Sequence, residues 1–375
     1  MRSFLRSYPT GWRAVSSSFA PNRESTSNRE STPTGLIRMI SMKILAAVSV
    51  CAVMICAGCG APSASSGDPA AATDTPAGGI APATATFDGT RAFTLLQAQC
   101  DFGPRPNGTD AHTKCLNWIV QQLTPNVDAA PSLQSFSYTS RKSGQTFTVT
   151  NIIGRINPSA KTQVLLAAHW DTRTYADQDP VLSNRSKPIL GANDGASETA
   201  VLLELARVFH ANRPSVGVEF VFFDAEDFAP VPGDYDEMYL GSKYFAQHLT
   251  DPKTGASLKP TYGILLDMIG DKQLDIFEET NSVAQAPAIV QKVWGAAAAL
   301  GYGGVFVAQP KYTIEDDHLP LLNVGIPTVD CIDFDYDDPQ HQYWHTLQDT
   351  PDKCSAQSLG IVGSVISKVV YDQVG

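Results

Sequence analysis

Basic residues are scarce in this chain: 27 Lys and Arg stand against 38 Asp and Glu in 375 residues, a formal net charge of −11. That balance argues against a nucleic-acid partner, because phosphate contacts need a basic face. No internal repeat is visible, which removes stacked-repeat architectures. Between Gly60 and Ala85 the residues are Ala, Pro, Ser, Thr, Gly and Asp, with Ile80 the one large apolar side chain. Such a stretch cannot bury enough surface to order itself and reads as a tether.

Apolar runs of membrane length are missing too. The run ILAAVSVCAVMICAG after Met42-Lys43 has the length of a secretory h-region and is too short for an ordinary membrane helix. It ends in Cys-Ala-Gly-Cys at 56–59, which resembles the lipobox of a bacterial lipoprotein signal, with Cys59 as the lipid-bearing first residue. Cys56 departs from the usual Leu or Val at that place. A plain secretory signal and a buried helix are the alternatives. The expected layout is a non-native or disordered extension over 1–41, a signal over 42–58, a lipid-anchored linker over 59–85 and one catalytic domain over 86–375. Met42 becomes a candidate translation start. The expected location is the bacterial cell envelope, facing the periplasm, with membrane contact through the lipid alone.

Cysteine is sparse. With Cys51, Cys56 and Cys59 assigned to the leader, Cys100, Cys115, Cys331 and Cys354 remain, and no Cys-x-x-Cys occurs among these four. A cysteine metal site is thereby disfavoured. An even number in an exported chain permits two disulfides, and nearness in sequence favours Cys100 with Cys115 and Cys331 with Cys354.

What the chain does have, from Phe87 onward, is alternation of helical and strand patterns. Ala111 to Leu123 reads as an amphipathic helix and Phe147 to Ile153 as a β-branched strand. Val164 to Ala168, Val218 to Phe223 and Gly263 to Ile269 are nearly continuous apolar runs, separated by helix candidates at Glu198 to His210 and Leu240 to Leu249. Later segments predict a helix near Ala284 to Leu300, strands near Val305 to Val307 and Thr328 to Ile332, and a closing helix from Ala356 to Tyr371. Runs without alternation suit strands covered on both faces. The fold class is therefore α/β, a single domain with a central mixed, mostly parallel sheet flanked by helices.

Polar side chains sit where such a sheet gathers its ligands, at the carboxyl ends of strands. His169 and Asp171 follow one strand, Glu226 and Asp227 follow VFF, Asp267 ends ILL, and Asp194 precedes a helix. Alone, each has a plain explanation: a satisfied core histidine, a helix cap at Asp194, a solvated acidic loop at Glu226-Asp227, or an exposed turn and cap at Asp316-Asp317-His318. Asp267 is harder to dismiss, because a charge in a buried strand is costly without a partner. Trp344-His345 adds a late imidazole beside an aromatic wall. Together they supply imidazole and carboxylate ligands for zinc and a further carboxylate free to act as base.

The motifs IIGRINPSAKTQVLLAAHWDT, GANDGASETAVLLELAR, FVFFDAEDF, YLGSKYFAQHL, LLDMIGD, IEDDHLPLLNVGIP and YWHTLQDT resemble those of the glutaminyl cyclases, or glutaminyl-peptide cyclotransferases, which share a fold with two-metal zinc aminopeptidases. The resemblance implies one Zn2+ held by Asp194, Asp227 and His345, with Glu226 as general acid/base and Asp267 and Asp316 as a carboxylate pair. Trp344 and His318 would belong to the substrate pocket. The implied substrates are peptides or proteins with an N-terminal Gln, closed to pyroglutamate with release of ammonia. Two departures stand out: Asp227 replaces the Glu of animal cyclases, and Phe228 to Tyr235 lacks their tryptophan. The rival is a two-zinc aminopeptidase, in which His169 and Asp267 bind a second zinc and Asp194 bridges the pair. A binding protein that keeps the fold without catalysis is a third reading, against which every ligand and the base are retained.

Overall fold

The computed structural model describes residues 86–336 and 342–373. The expectations for residues 1–85, including the leader and Cys59, lie outside the described residues. Along the chain run α1 (Gly89–Cys100), α2 (Asp110–Leu123), β1 (Ser132–Thr139), β2 (Thr146–Ile156), β3 (Gln163–His169), α3 (Ala196–Ala211), β4 (Gly217–Phe223) and α4 (Leu240–Gln247). Then come β5 (Tyr262–Asp267), β6 (Ile276–Glu278), α5 (Thr280–Gln285), α6 (Pro287–Ala299), β7 (Phe306–Pro310), α7 (His318–Asn323), β8 (Thr328–Ile332) and α8 (Ala356–Tyr371).

The sheet has six strands in the order β1-β2-β4-β3-β5-β8. β4, β3, β5 and β8 run parallel to one another, and β2 and β1 add an antiparallel edge beside β4. The apolar runs become these central strands because both faces are covered. On β3, Val164, Leu166 and Ala168 enter the larger core, with the inner faces of α1, α3 and α8. Leu165 and Ala167 point the other way, into a smaller core with Phe245 of α4 and Leu321 of α7. This period of two on a wholly apolar strand is what a helix–sheet–helix sandwich requires. The helices start on side-chain caps: Asp88 accepts from Thr90 and Arg91, Thr109 from His112, and Ser355 from Ser358.

Some details differ from expectation. The helix near Ala284 to Leu300 is two helices, because Pro287 has no N–H to continue α5 and instead opens α6. The strand near Val305 pairs with β6 in a separate two-stranded sheet. The disulfide expectation is corrected: Cys100, Cys115, Cys331 and Cys354 are all free, buried thiols. All four lie in the larger apolar core and pack there as small hydrophobes. Nearness in sequence does not bring two Cβ atoms to bridging distance when one cysteine sits on a helix or strand and the other on a different element. Among the described residues no helix is long and apolar enough to cross a membrane.

Candidate metal centre and active site

The carboxyl ends of the parallel strands deliver the chemistry to one edge. β3 ends in His169, β5 ends in Asp267, and Glu226 and Asp227 follow β4 by three and four residues. Asp194 lies in the turn before α3, and Gly195 makes that turn possible. Its φ is +101°, and a Cβ there would meet the Asp171 carbonyl oxygen at 2.4 Å. Asp349 fixes the same turn by accepting the N–H groups of Asn193 at 2.8 Å and Asp194 at 3.2 Å. Tyr336 donates its hydroxyl to Asp349 at 2.7 Å.

Asp194, Asp227 and His345 bring one donor atom each into a group whose members lie within 4.8 Å of one another. His345 Nε2 stands 3.3 Å from Asp227 Oδ1 and 3.6 Å from Asp194 Oδ2. Its other nitrogen, Nδ1, faces Asp177 Oδ1 at 3.3 Å. Arg173, fully buried, links the two acids: Nη2 reaches Asp177 at 2.8 Å and Nη1 reaches Asp227 at 3.3 Å. Burial alone would raise Asp227, but His345 and Arg173 outweigh it and hold the carboxyl below its usual range. Burial likewise lowers His345, and Asp227 and Asp177 overturn it, pushing the imidazole up to about 9. Asp227 Oδ2 has no hydrogen-bond partner in this buried setting. Two carboxylates and an imidazole, all buried and one with an orphaned oxygen, fit a zinc ion.

A second group shares Asp194. His169, Asp194, Glu198 and Asp267 also bring donor atoms within 4.8 Å of one another. His169 Nε2 is 3.0 Å from Glu198 Oε1, 3.1 Å from Asp194 Oδ1 and 3.5 Å from Asp267 Oδ1. Glu198 has other duties as well, accepting the Gly195 N–H and the Ser197 hydroxyl, both at 2.7 Å.

Glu226 lies between the groups, with Oε2 3.7 Å from His169 Nδ1. Burial first, and the charge of Asp227 second, push it well above the usual range for a glutamate. Asp316 is raised well above its ordinary value, by burial and then by Asp330 and Asp267. The Asp316-Asp317-His318 segment is not an exposed turn; all three side chains are buried. His318 lies behind Asp316, with Nε2 3.3 Å from Glu279 and Nδ1 3.7 Å from Asp330. It does not line the cavity, so its expected place in the pocket is corrected.

The cavity above these groups measures ≈ 300 Å³. Glu226, Asp194, Asp267 and Asp316 form its polar floor, and Tyr235, Met238, Ile314, Phe334 and Trp344 form its walls. Trp344 stacks on His345 with centroids 4.0 Å apart. Four residues of the site, Ala225, Tyr239, Met268 and His345, adopt left-handed φ of 56°, 60°, 48° and 52°. Such strain in non-glycine residues gathers where geometry is held for a purpose. Sequence reasoning missed Arg173, Asp177, Glu198 and Asp349; an Asp-Gly-Ala-Ser-Glu run before a helix carries only a capping signal for Glu198.

Residues 151–370 match the model of peptidase family M28. The chain belongs to that family. The zinc-dependent exopeptidase of Parabacteroides distasonis is 35% identical, with 78% of this chain and 100% of that one covered and a TM-score of 0.72. The glutaminyl cyclase of Bacteroides thetaiotaomicron, solved with N-acetylhistamine, gives the same identity, coverage and TM-score. The bovine glutaminyl-peptide cyclotransferase is 24% identical over 255 residues, 59% of this chain. The match spans 65% of that relative's length. The chain shares the zinc-exopeptidase-like fold of these neighbours, an α/β domain around a mixed sheet, and its buried His, Asp and Glu groups are of the kind that suit zinc.

Proposed function

We propose that this protein is a zinc-dependent glutaminyl-peptide cyclotransferase, converting the N-terminal glutamine of peptides or proteins to pyroglutamate with release of ammonia. One observation carries the reading: a buried Glu226 with a raised pKa lines one cavity with Asp267 and Asp316, beside a group of Asp194, Asp227 and His345 able to hold a metal. The likeness to a bacterial glutaminyl cyclase over that enzyme's full length supports it.

Asp194, Asp227 and His345 would hold a zinc ion, which when bound would supply Lewis acidity to the side-chain amide of the substrate glutamine. The substrate's own α-amine attacks the amide carbon, so a C–N bond forms within the substrate and the bond to the departing nitrogen breaks. Glu226 accepts the proton released by the amine and delivers it to the leaving group, which departs as ammonia. A group raised by burial is suited to holding a proton between those two steps. Asp267 and Asp316 share a proton, one donating and the other accepting, and so orient the substrate at the floor. Tyr235, Phe334 and Trp344 shield the reacting atoms from water. No enzyme nucleophile is needed, since tethering supplies the proximity.

An aminopeptidase activity is the second reading, favoured by the His169, Asp194, Glu198 and Asp267 group, which offers donors for a second zinc. In that case His169 and Asp267 would help hold a second zinc beside Asp194, and Glu226 would act as base towards water. An N-terminal Gln peptide and a Leu-anilide separate the two. Ammonia release without anilide cleavage is expected, and the reverse result rejects the cyclase. Glu226→Gln is expected to keep its zinc while turnover drops roughly 10²- to 10⁴-fold.

The leader motif supports export of this domain, with a lipid on Cys59 and residues 59–85 tethering it at the bacterial envelope, facing the periplasm.

A further inference from the structure

A second cavity of ≈ 510 Å³ adjoins the first. The two share Tyr235, Tyr239, Glu315 and Asp316 in their linings. Tyr239 donates its hydroxyl to the Glu315 carbonyl, so this pair forms the partition between them. A peptide whose first residue fills the first cavity would carry the residues that follow past that partition towards the second.

The second cavity has a distinct chemistry. Leu319, Pro320 and Val324 give it an apolar side that suits the methylene stem of a long side chain. Glu315 is exposed at the junction, and among the described residues its carboxylate forms no ion pair. The other charges nearby are engaged. Asp236 is bound by Lys142 at 2.7 Å. Lys243 lines the cavity too, donates to the Met238 carbonyl at 2.7 Å and packs over the Tyr239 ring at 5.2 Å, and its charge is felt by Asp317 and Glu315. The whole chain carries a formal charge of −11.

We infer that residues following the N-terminal glutamine occupy this second cavity, and that Glu315 selects a cationic side chain at the second or third position of the substrate. The inference deepens the cyclase reading and rests on it. The favoured substrates are peptides beginning Gln-Lys, Gln-Arg or Gln-Xaa-Lys, with the cation held by Glu315 and its stem laid along Leu319 and Val324.

The test is ammonia release by the full chain from Gln-Xaa-Ala peptides with Lys, Ala or Glu as Xaa, and from the matching third-position set. The expected order of kcat/KM is Lys over Ala over Glu at one of the two positions. Each step is about threefold, the scale of an exposed ion pair, and falls mainly in KM. Glu315→Gln is expected to bring the Lys-to-Glu ratio close to one, and Glu315→Lys to invert it. Because the ratio is taken within a single variant, a general loss of folded enzyme does not disturb it. Equal rates for all peptides, a preference for Glu read out by Lys243, or a Lys-to-Glu ratio unmoved by Glu315→Gln overturns the inference while leaving the cyclase reading intact. No ammonia from any Gln peptide sinks both.

Discussion

The carboxylate of Asp171 accepts the backbone N–H of Glu226 at 3.1 Å, and its second oxygen accepts that of Asp227 at 3.2 Å. The proposed base and a proposed ligand are thus set by one side chain that is neither. The turn it braces contains Ala225 at φ 56°, which needs support to persist. Asp171 also lies 3.7 Å from His169 Nδ1, so the same carboxylate steadies the imidazole of the neighbouring strand.

Asp171→Asn replaces one acceptor oxygen with an N–H₂ group that faces another N–H donor. Turnover is expected to fall about 10- to 100-fold, the usual cost of disturbing a group that orients a metal site. Zinc content should stay near that of the wild type, because no ligand is removed. Steady-state kinetics beside metal analysis checks both parts. Full activity in Asp171→Asn would show that the turn holds without it.

His318 occupies a sealed space between Glu279 and Asp330, all three nearly free of solvent. Glu279 also accepts the N–H groups of Asn281, Ser282 and Ile314, at 2.8, 2.7 and 3.1 Å, which ties the segment carrying Asp316 to the start of α5. Removing the imidazole leaves two buried carboxyls facing an empty space. His318→Ala is expected to lose about 3 kcal/mol of stability in denaturant unfolding at pH 7. A loss under 1 kcal/mol would mean the carboxyls find other partners.

Glu219 on β4 sits directly across from Arg155 on β2, with 2.9 Å between Oε1 and Nη2. Burial nevertheless wins over Arg155 and raises the acid from 4.5 to about 7. A raised acid favours the folded state while protonated, so its contribution is complete below about pH 4.5 and is lost as pH rises towards 7. The change is on the order of 3 kcal/mol. Glu219→Gln stays neutral throughout, so the stability difference between variant and wild type should grow between pH 5 and pH 8 in the variant's favour. Parallel curves across that range would place the carboxylate comfortably ionised beside Arg155.

The legible part of this protein was the part with periodicity. Unbroken apolar runs marked β3, β4, β5 and β8, and a charge at the end of such a run, as at Asp267, announced itself because burial is costly there. The closing helix spans the predicted Ala356 to Tyr371. Asp177, Arg173 and Asp349 were invisible because they reach the site from irregular segments, where neither spacing nor hydropathy says which way a side chain turns. His318 was placed in the pocket by its neighbours in sequence, yet the first turn of α7 points it inward to Glu279. The cysteine pairing differs for a related reason: four thiols can all be buried in one core as small hydrophobes and stay free.

The number of zinc ions turns on His169. A second ion would require its Nε2, together with Asp194 and Asp267, but that nitrogen already stands 3.0 Å from Glu198 and 3.1 Å from Asp194. Glu198 is itself pinned by the Gly195 N–H and the Ser197 hydroxyl, so it cannot swing away without uncapping α3. One zinc per chain is therefore expected in metal analysis of the purified protein. His345→Ala should abolish it, since only two of the three donors remain. Asp267→Asn should leave it unchanged while turnover falls, because Asp267 then acts on the substrate through Asp316 rather than on a metal. Two zinc ions in the wild type, with one lost in Asp267→Asn, would reverse that assignment. Glu198 would then be a ligand in its own right, and the chemistry of the site would be peptide hydrolysis.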